Sequence, residues 1–250
     1  MIEVTHRHDV AVLTMTHGKA NLFDLEFCQA LTSTFAATER SSAKAAVVVG
    51  RGAIFSAGVD LVRLTSSGAA YADSFIPALG KAFETVFTFS KPLVAAVNGH
   101  AIAGGCILAC AADRRLMARG TGRIGVPELL VGVAFPTIAL EIVRQAVAPQ
   151  HLRTLIYTAE TAPPEKAIEY GLVDALVDAD RLLDEAVAAA EAMAALPREA
   201  FALAKSQLRA PALARIREGE LQFDPVAQKL WAAPETLDGV RRYVERTLKK

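Results

Sequence analysis

The chain has 250 residues, 52% of them hydrophobic and 22% charged, enough to bury one sizeable core and unlike either a disulfide-stapled miniprotein or a disordered chain. Lysine plus arginine equals aspartate plus glutamate at 27 each, for a formal net charge of zero. That balance lacks the positive field on which non-specific nucleic-acid or anionic-membrane binding depends.

The apolar run at 10–15 predicts a strand, followed by a loop through His17, Gly18 and Asn21 and a helical pattern over 24–38. Short β-branched runs return at 45–50 and 93–97, the second ending at the turn dipeptide Asn98-Gly99. Continuous apolar strands of this kind are buried on both faces. Helical periodicity covers 67–88, and an apolar helix is predicted over 104–113, directly after a glycine pair. Strands alternating with helices predict an α/β core. Beyond Glu128 the pattern turns helical, with segments at 136–146, 150–158, 163–170, 181–195 and 198–207, and a last one at 237–250 that ends in basic residues. Pro163 and Pro164 suit a helix start and Gly171 a helix stop. The division expected is a core over 1–195 and a helical region over 196–250.

Cys28, Cys106 and Cys110 have neither CxxC nor Cys/His spacing, which argues against a disulfide framework and a zinc site and for a reducing compartment. The first residues carry no secretory or transit pattern, and the apolar runs fall short of the roughly 18–20 residues of a membrane span. A complete cytoplasmic chain is expected, with neither membrane nor nucleic acid as partner.

Two glycine motifs stand at strand ends. In Phe55-Ser-Ala-Gly-Val-Asp-Leu61, Gly58 gives the backbone a conformation that other residues resist; in Asn98-Gly-His-Ala-Ile-Ala-Gly-Gly-Cys106 the glycine pair opens a helix whose first N–H groups are free. Each alone is ordinary turn chemistry. Together, at the ends of two strands, they can aim two amides into one cavity.

The series FSAGVDL, AAVNGHAIAGGCILACAADRRLM, IGVPELLVGV and PPEKAIEYGLVDALV resembles the crotonase (enoyl-CoA hydratase/isomerase) superfamily from about residue 8 to 245. The resemblance implies an α/β spiral of repeated ββα units with a C-terminal helical trimerisation region, and a homotrimer or dimer of trimers. It implies an acyl-CoA thioester substrate whose carbonyl oxygen is bound by the backbone N–H groups of Val59 and Gly104. Around the substrate it places Ala57, Asp60, Leu61, Ile107, Phe135 and Tyr243, the last as an aromatic that closes the pocket, in some members from a neighbouring chain. No metal or prosthetic group is implied, since CoA enters with the substrate.

Hydratases of the superfamily carry two glutamates. Here the position three residues beyond Gly104 is Ile107, and the second is retained as Glu128 in Gly125-Val-Pro-Glu128. Adding water asks a site to deprotonate the water and protonate the substrate, whereas moving a double bond needs one base that takes a proton from C2 and returns it at C4. The pattern is similar to the single-glutamate Δ3,Δ2-enoyl-CoA isomerases. Hydration with an acid recruited elsewhere and a non-catalytic acyl-CoA-binding role are the alternatives. A greasy surround of Ile107, Leu108 and Phe135 is expected to disfavour the charged form of Glu128.

Other signals are weaker. Gly120-Thr-Gly-Arg-Ile-Gly125 spells GxGxxG, but Pro127 follows and no long helix opens there. Cys106 and Cys110 read as core thiols and His100 as an exposed turn residue. Asp60 also suits local backbone hydrogen bonding, and Arg63, Lys91, Lys249 and Lys250 suit solvated surface charge better than phosphate contacts.

Overall fold

A computed structural model of the protein describes residues 1–248, so Lys249 and Lys250 lie outside the described residues. The chain opens with an antiparallel pair, β1 (Ile2–Arg7) and β2 (Val10–Met15). Asp24 caps α1 (Leu25–Arg40), its carboxylate accepting from the Phe27 N–H at 2.7 Å.

Three units of the same order follow. The first is β3 (Ala45–Gly50), β4 (Ile54–Ser56) and α2 (Leu61–Phe87), the second β5 (Leu93–Val97), β6 (His100–Ile102) and α3 (Gly104–Cys110), and the third β7 (Arg114–Ala118), β8 (Ile124–Gly125) and α4 (Glu128–Val131). In each unit the first strand joins one sheet and the second strand another, which is the ββα spiral of the crotonase fold. After them come α5 (Thr137–Ala146), α6 (Pro149–Tyr157), β9 (Thr161–Ala162), α7 (Pro164–Tyr170), β10 (Ala175–Val177), α8 (Leu182–Ala194), α9 (Arg198–Gln222), α10 (Asp224–Ala232) and α11 (Pro234–Leu248).

The larger sheet has the order β1-β2-β3-β5-β7-β10 and is parallel from β2 onward; the smaller has the order β4-β6-β8-β9. Every residue of β3 and β5 is buried, and alternation divides them between two cores. Ala46, Val48, Ala95 and Val97 face the main core, while Val47, Val49, Val94 and Ala96 pack with Leu182, Ala186, Val187 and Ala190 of α8.

The structure departs from sequence expectation where local pattern is short or broken. The smaller sheet was not anticipated, because its strands are two or three residues long and too brief for a period to show. Helix α2 starts at Leu61 rather than 67, and Gly68, at φ 70, kinks it and interrupts the pattern. Helix α9 runs fifteen residues beyond 207, through Pro211, because Lys205, Arg209, Ala212, Ile216 and Gly219 keep one face buried at helical spacing.

That buried face is partly ionic. Asp113 accepts from Lys205 Nζ at 2.6 Å, from Arg209 Nη2 at 2.8 Å and from the Leu93 N–H at 2.8 Å, while Arg209 also donates to the carbonyls of Phe87 and Ala111. The clamp ties α9 to the ends of α2 and α3. Removing its single anion leaves two buried cations unmatched, an effect of about 3–5 kcal/mol. Asp113→Asn is therefore expected to lower stability by about 3 kcal/mol or more, read as a fall in denaturation midpoint at unchanged slope.

Candidate active site

The first motif leaves β4 and is stitched to the loop before α1. The Phe23 N–H donates to the Gly58 carbonyl at 2.8 Å and the Asp60 N–H to the Phe23 carbonyl at 2.9 Å, a parallel bridge between Phe23 and Val59. In such a bridge the flanking residues supply the bonds and the middle residue points its own N–H the other way. Among the described residues the Val59 N–H meets no acceptor. Asp60 then caps α2, accepting from the Arg63 N–H at 2.8 Å. It does not line the cleft, a correction to its assignment beside the substrate: its carboxylate is committed to the helix start.

The second motif presents Gly104 through a strained residue. Ala103 has φ 52 and ψ −120, outside the regions that side chains favour, at a cost of about 1–3 kcal/mol. It is held by its N–H to the Gly125 carbonyl at 2.8 Å and by its carbonyl to the Ile107 N–H at 3.0 Å. Gly104 begins α3, so its N–H has no helical partner, and no other acceptor reaches it among the described residues.

Two glycines allow the motifs to touch. A Cβ on Gly58, at φ 88, would stand 2.8 Å from both the Ala103 Cβ and the Ile102 carbonyl oxygen, and 3.5 Å from the Gly104 nitrogen. A Cβ on Gly105 would stand 2.4 Å from the Ser56 carbonyl oxygen. No larger residue fits either place without backbone movement.

Glu128 arrives from the third unit. Pro127 precedes it at the start of α4, and Gly132 ends that single turn in a left-handed conformation. The side chain is turned inward, with the residue only 7% exposed and Oε2 unpartnered among the described residues. Burial without a compensating charge pushes its pKa up to about 8.

The three units and the segments after them form a cleft lined by Ala57, Val59, Leu61, Gly104, Ile107, Phe135 and Tyr243, with Glu128 its one carboxyl among the described residues. The sequence-assigned pocket residues other than Asp60 thus come together. Leu108 does not join them: it is fully buried in the core, one helical step from Ile107 on another face of α3. Leu79, Phe83, Val131, Val133 and Trp231 also line the cleft and were not anticipated. The four-residue spacing Phe75, Leu79, Phe83 and Phe87 was the available signal for the α2 contribution. Tyr243 and Trp231 belong to the same chain as the rest, because α10 and α11 fold back onto α2.

The weaker signals resolve structurally. Residues 120–123 form a loop leading into two-residue β8, with no dinucleotide-type helix. Cys106 and Cys110 are buried with sulfurs 4.0 Å apart. Lys91 is buried, capping α1 through the Thr38 and Ser41 carbonyls at 2.8 and 2.9 Å, a correction to its reading as solvated charge. Arg63 pairs with both oxygens of Glu26. Among the described residues no helix is long and apolar enough to cross a membrane.

The chain is a ββα spiral whose cleft holds, among the described residues, two amides without an acceptor and one buried carboxyl. It is the architecture of the crotonase enzymes. The chain belongs to the enoyl-CoA hydratase/isomerase family, whose model matches residues 5–249. A putative enoyl-CoA hydratase of Thermus thermophilus is 32% identical, covering 84% of this chain and 84% of its own. A probable enoyl-CoA hydratase of Rhizobium meliloti is 29% identical, covering 94% and 95% respectively. The solved structure of human mitochondrial delta3-delta2-enoyl-CoA isomerase shares the fold at a TM-score of 0.93 and 23% identity, over 99% of this chain and 98% of that one.

Proposed function

We propose that this protein is a Δ3,Δ2-enoyl-CoA isomerase in which Glu128 alone carries the proton. The observation that carries the reading is the make-up of the cleft, where Glu128 is the one carboxyl among the described residues and Ile107 fills a position at which the family resemblance places a glutamate in hydratases.

The thioester carbonyl oxygen accepts from the Val59 and Gly104 N–H groups. The Glu128 carboxylate takes a proton from C2; the electron pair of that C–H bond moves toward the carbonyl and forms a dienolate. The double bond shifts as the Glu128 acid returns the proton at C4, leaving the conjugated 2-enoyl thioester and the carboxylate restored. Each amide contributes about 2.7–4 kcal/mol to holding the developing charge. A carboxyl with a pKa near 8 is, once ionised, a stronger base than an exposed one and still gives its proton back readily.

The same reading carries assembly into a homotrimer or a dimer of trimers, for which Leu208, Leu221, Phe223 and Val226 on α9, α10 and the turn between them supply exposed apolar surface.

The test is direct. With a 3-enoyl-CoA, the absorbance of the conjugated 2-enoyl thioester is expected to grow; with crotonyl-CoA, no 3-hydroxyacyl product is expected. Hydration at a rate equal to or above isomerisation overturns the assignment.

A further inference from the structure

We infer that Trp231 sets the length of acyl chain that the cleft admits, so that the preferred substrates are short- to medium-chain enoyl thioesters. The inference rests on the acyl-thioester reading of the site and adds a substrate class to it.

The cleft has a direction. Ala57, Val59 and Leu61, next to the first amide, are partly exposed, as are Phe135 and Tyr243. Leu79, Phe83, Ala139 and Trp231 also line it and are at most 3% exposed, which sets them away from the solvent-facing residues. Phe83 stands beside the second amide, its ring tip 3.5 Å from where a Cβ on Gly104 would be. One turn earlier on α2, a Cβ on Gly80 would lie 3.9 Å from the Ile138 side chain, so α2 and α5 already meet behind the cleft. A thioester held at the amides therefore sends its tail inward, between Phe83 and Ile107, toward the indole of Trp231.

That indole is a fixed wall. Its Nε1 donates to the Ala134 carbonyl at 2.7 Å, and the residue is 2% exposed. Swinging it aside to admit a longer tail leaves the buried indole donor unpaired and frees the partly buried Ala134 carbonyl, and the unpaired donor is costly. The Ala134 carbonyl belongs to the segment between Val133 and Pro136, itself part of the lining. Indole and wall therefore hold each other in place. Trp231 is the only tryptophan in the chain and stands among small residues, Ala227, Ala232 and Ala233.

The experiment measures kcat/KM for 3-enoyl-CoA esters of six, eight, ten, twelve and sixteen carbons, and dissociation constants for the saturated acyl-CoA esters of the same lengths. For the native protein, both are expected to improve about fourfold per added methylene while the tail still finds apolar surface. They then break sharply, with the sixteen-carbon ester at least tenfold poorer than the best. In Trp231→Ala the break is expected to move to longer tails by about two to four carbons, the reach of the removed indole. Trp231→Leu, a milder truncation, moves it less, and Trp231→Phe, which keeps most of the bulk, leaves it nearly in place. A native protein that takes sixteen carbons as well as eight, or a break that stays fixed in both truncations, overturns the inference. If the saturated esters show the Trp231-dependent break while no ester is isomerised, the isomerase reading falls and the length gauge stands. If isomerisation proceeds with no such break, the gauge alone falls.

Discussion

Glu128→Gln is expected to abolish isomerisation while making the protein harder to unfold above neutral pH. The two effects share one cause. Loss of a positioned base lowers the rate by about 10²- to 10⁴-fold, and an amide of the same shape leaves the cleft intact. The native carboxyl, raised from 4.5 to about 8 by burial, is protonated in the folded chain at pH values where the unfolded chain has already ionised. Its contribution to stability is therefore whole below pH 4.5, declines as pH rises, and is gone once pH passes about 8. Glutamine does not titrate. The stability difference in favour of Glu128→Gln should grow between pH 5 and 9 by roughly 3–5 kcal/mol, read from paired denaturation curves. The same group predicts an acid limb in kcat/KM of the native enzyme with its midpoint near 8, activity rising with pH. A limb near 4.5, or a pH-independent stability difference, contradicts the account of Glu128.

Gly58→Ala is expected to damage catalysis through the backbone that carries both amides. The new Cβ would press on a backbone oxygen and on another Cβ at 2.8 Å, neither of which belongs to a flexible side chain, and the φ of 88 is itself unfavourable for alanine. Relief requires the Ala57–Asp60 turn and the Ile102–Gly104 segment to part. Because those segments carry the Val59 and Gly104 amides, parting them misaligns both donors at once. A loss of one such donor costs about 10²–10³ in kcat, so a fall in kcat of at least 10²-fold is expected, together with a drop in stability of about 1–3 kcal/mol. Gly18→Ala is the comparison: that glycine also has positive φ, at 59, but a Cβ there meets nothing within 4 Å. Its stability should fall with little change in kcat. Equal losses of kcat in the two variants contradict the argument.

The division between what could be read in the chain and what could not follows physical length scales. Strands β2, β3 and β5 are continuous apolar runs of five or six residues and announce themselves. The whole smaller sheet escapes, since its strands are set by pairing with distant segments and not by a pattern of their own. The site divides in the same way. Val59, Gly104 and Glu128 sit in glycine or proline turns whose local chemistry is visible, and the family resemblance assembles them. Trp231 enters the cleft only because α10 returns to α2, a contact between residues about 150 positions apart that no local signal records. Asp60 misled for the opposite reason: an aspartate at the edge of a glycine turn serves equally well as a pocket acid or a helix cap, and here the cap takes it.

One side of the cleft is supplied by α10 and α11, which bring Trp231 and Tyr243 against α2. A ligand that binds there and contacts those side chains is expected to favour the docked arrangement of the two helices, and so to slow their proteolysis in proportion to its occupancy.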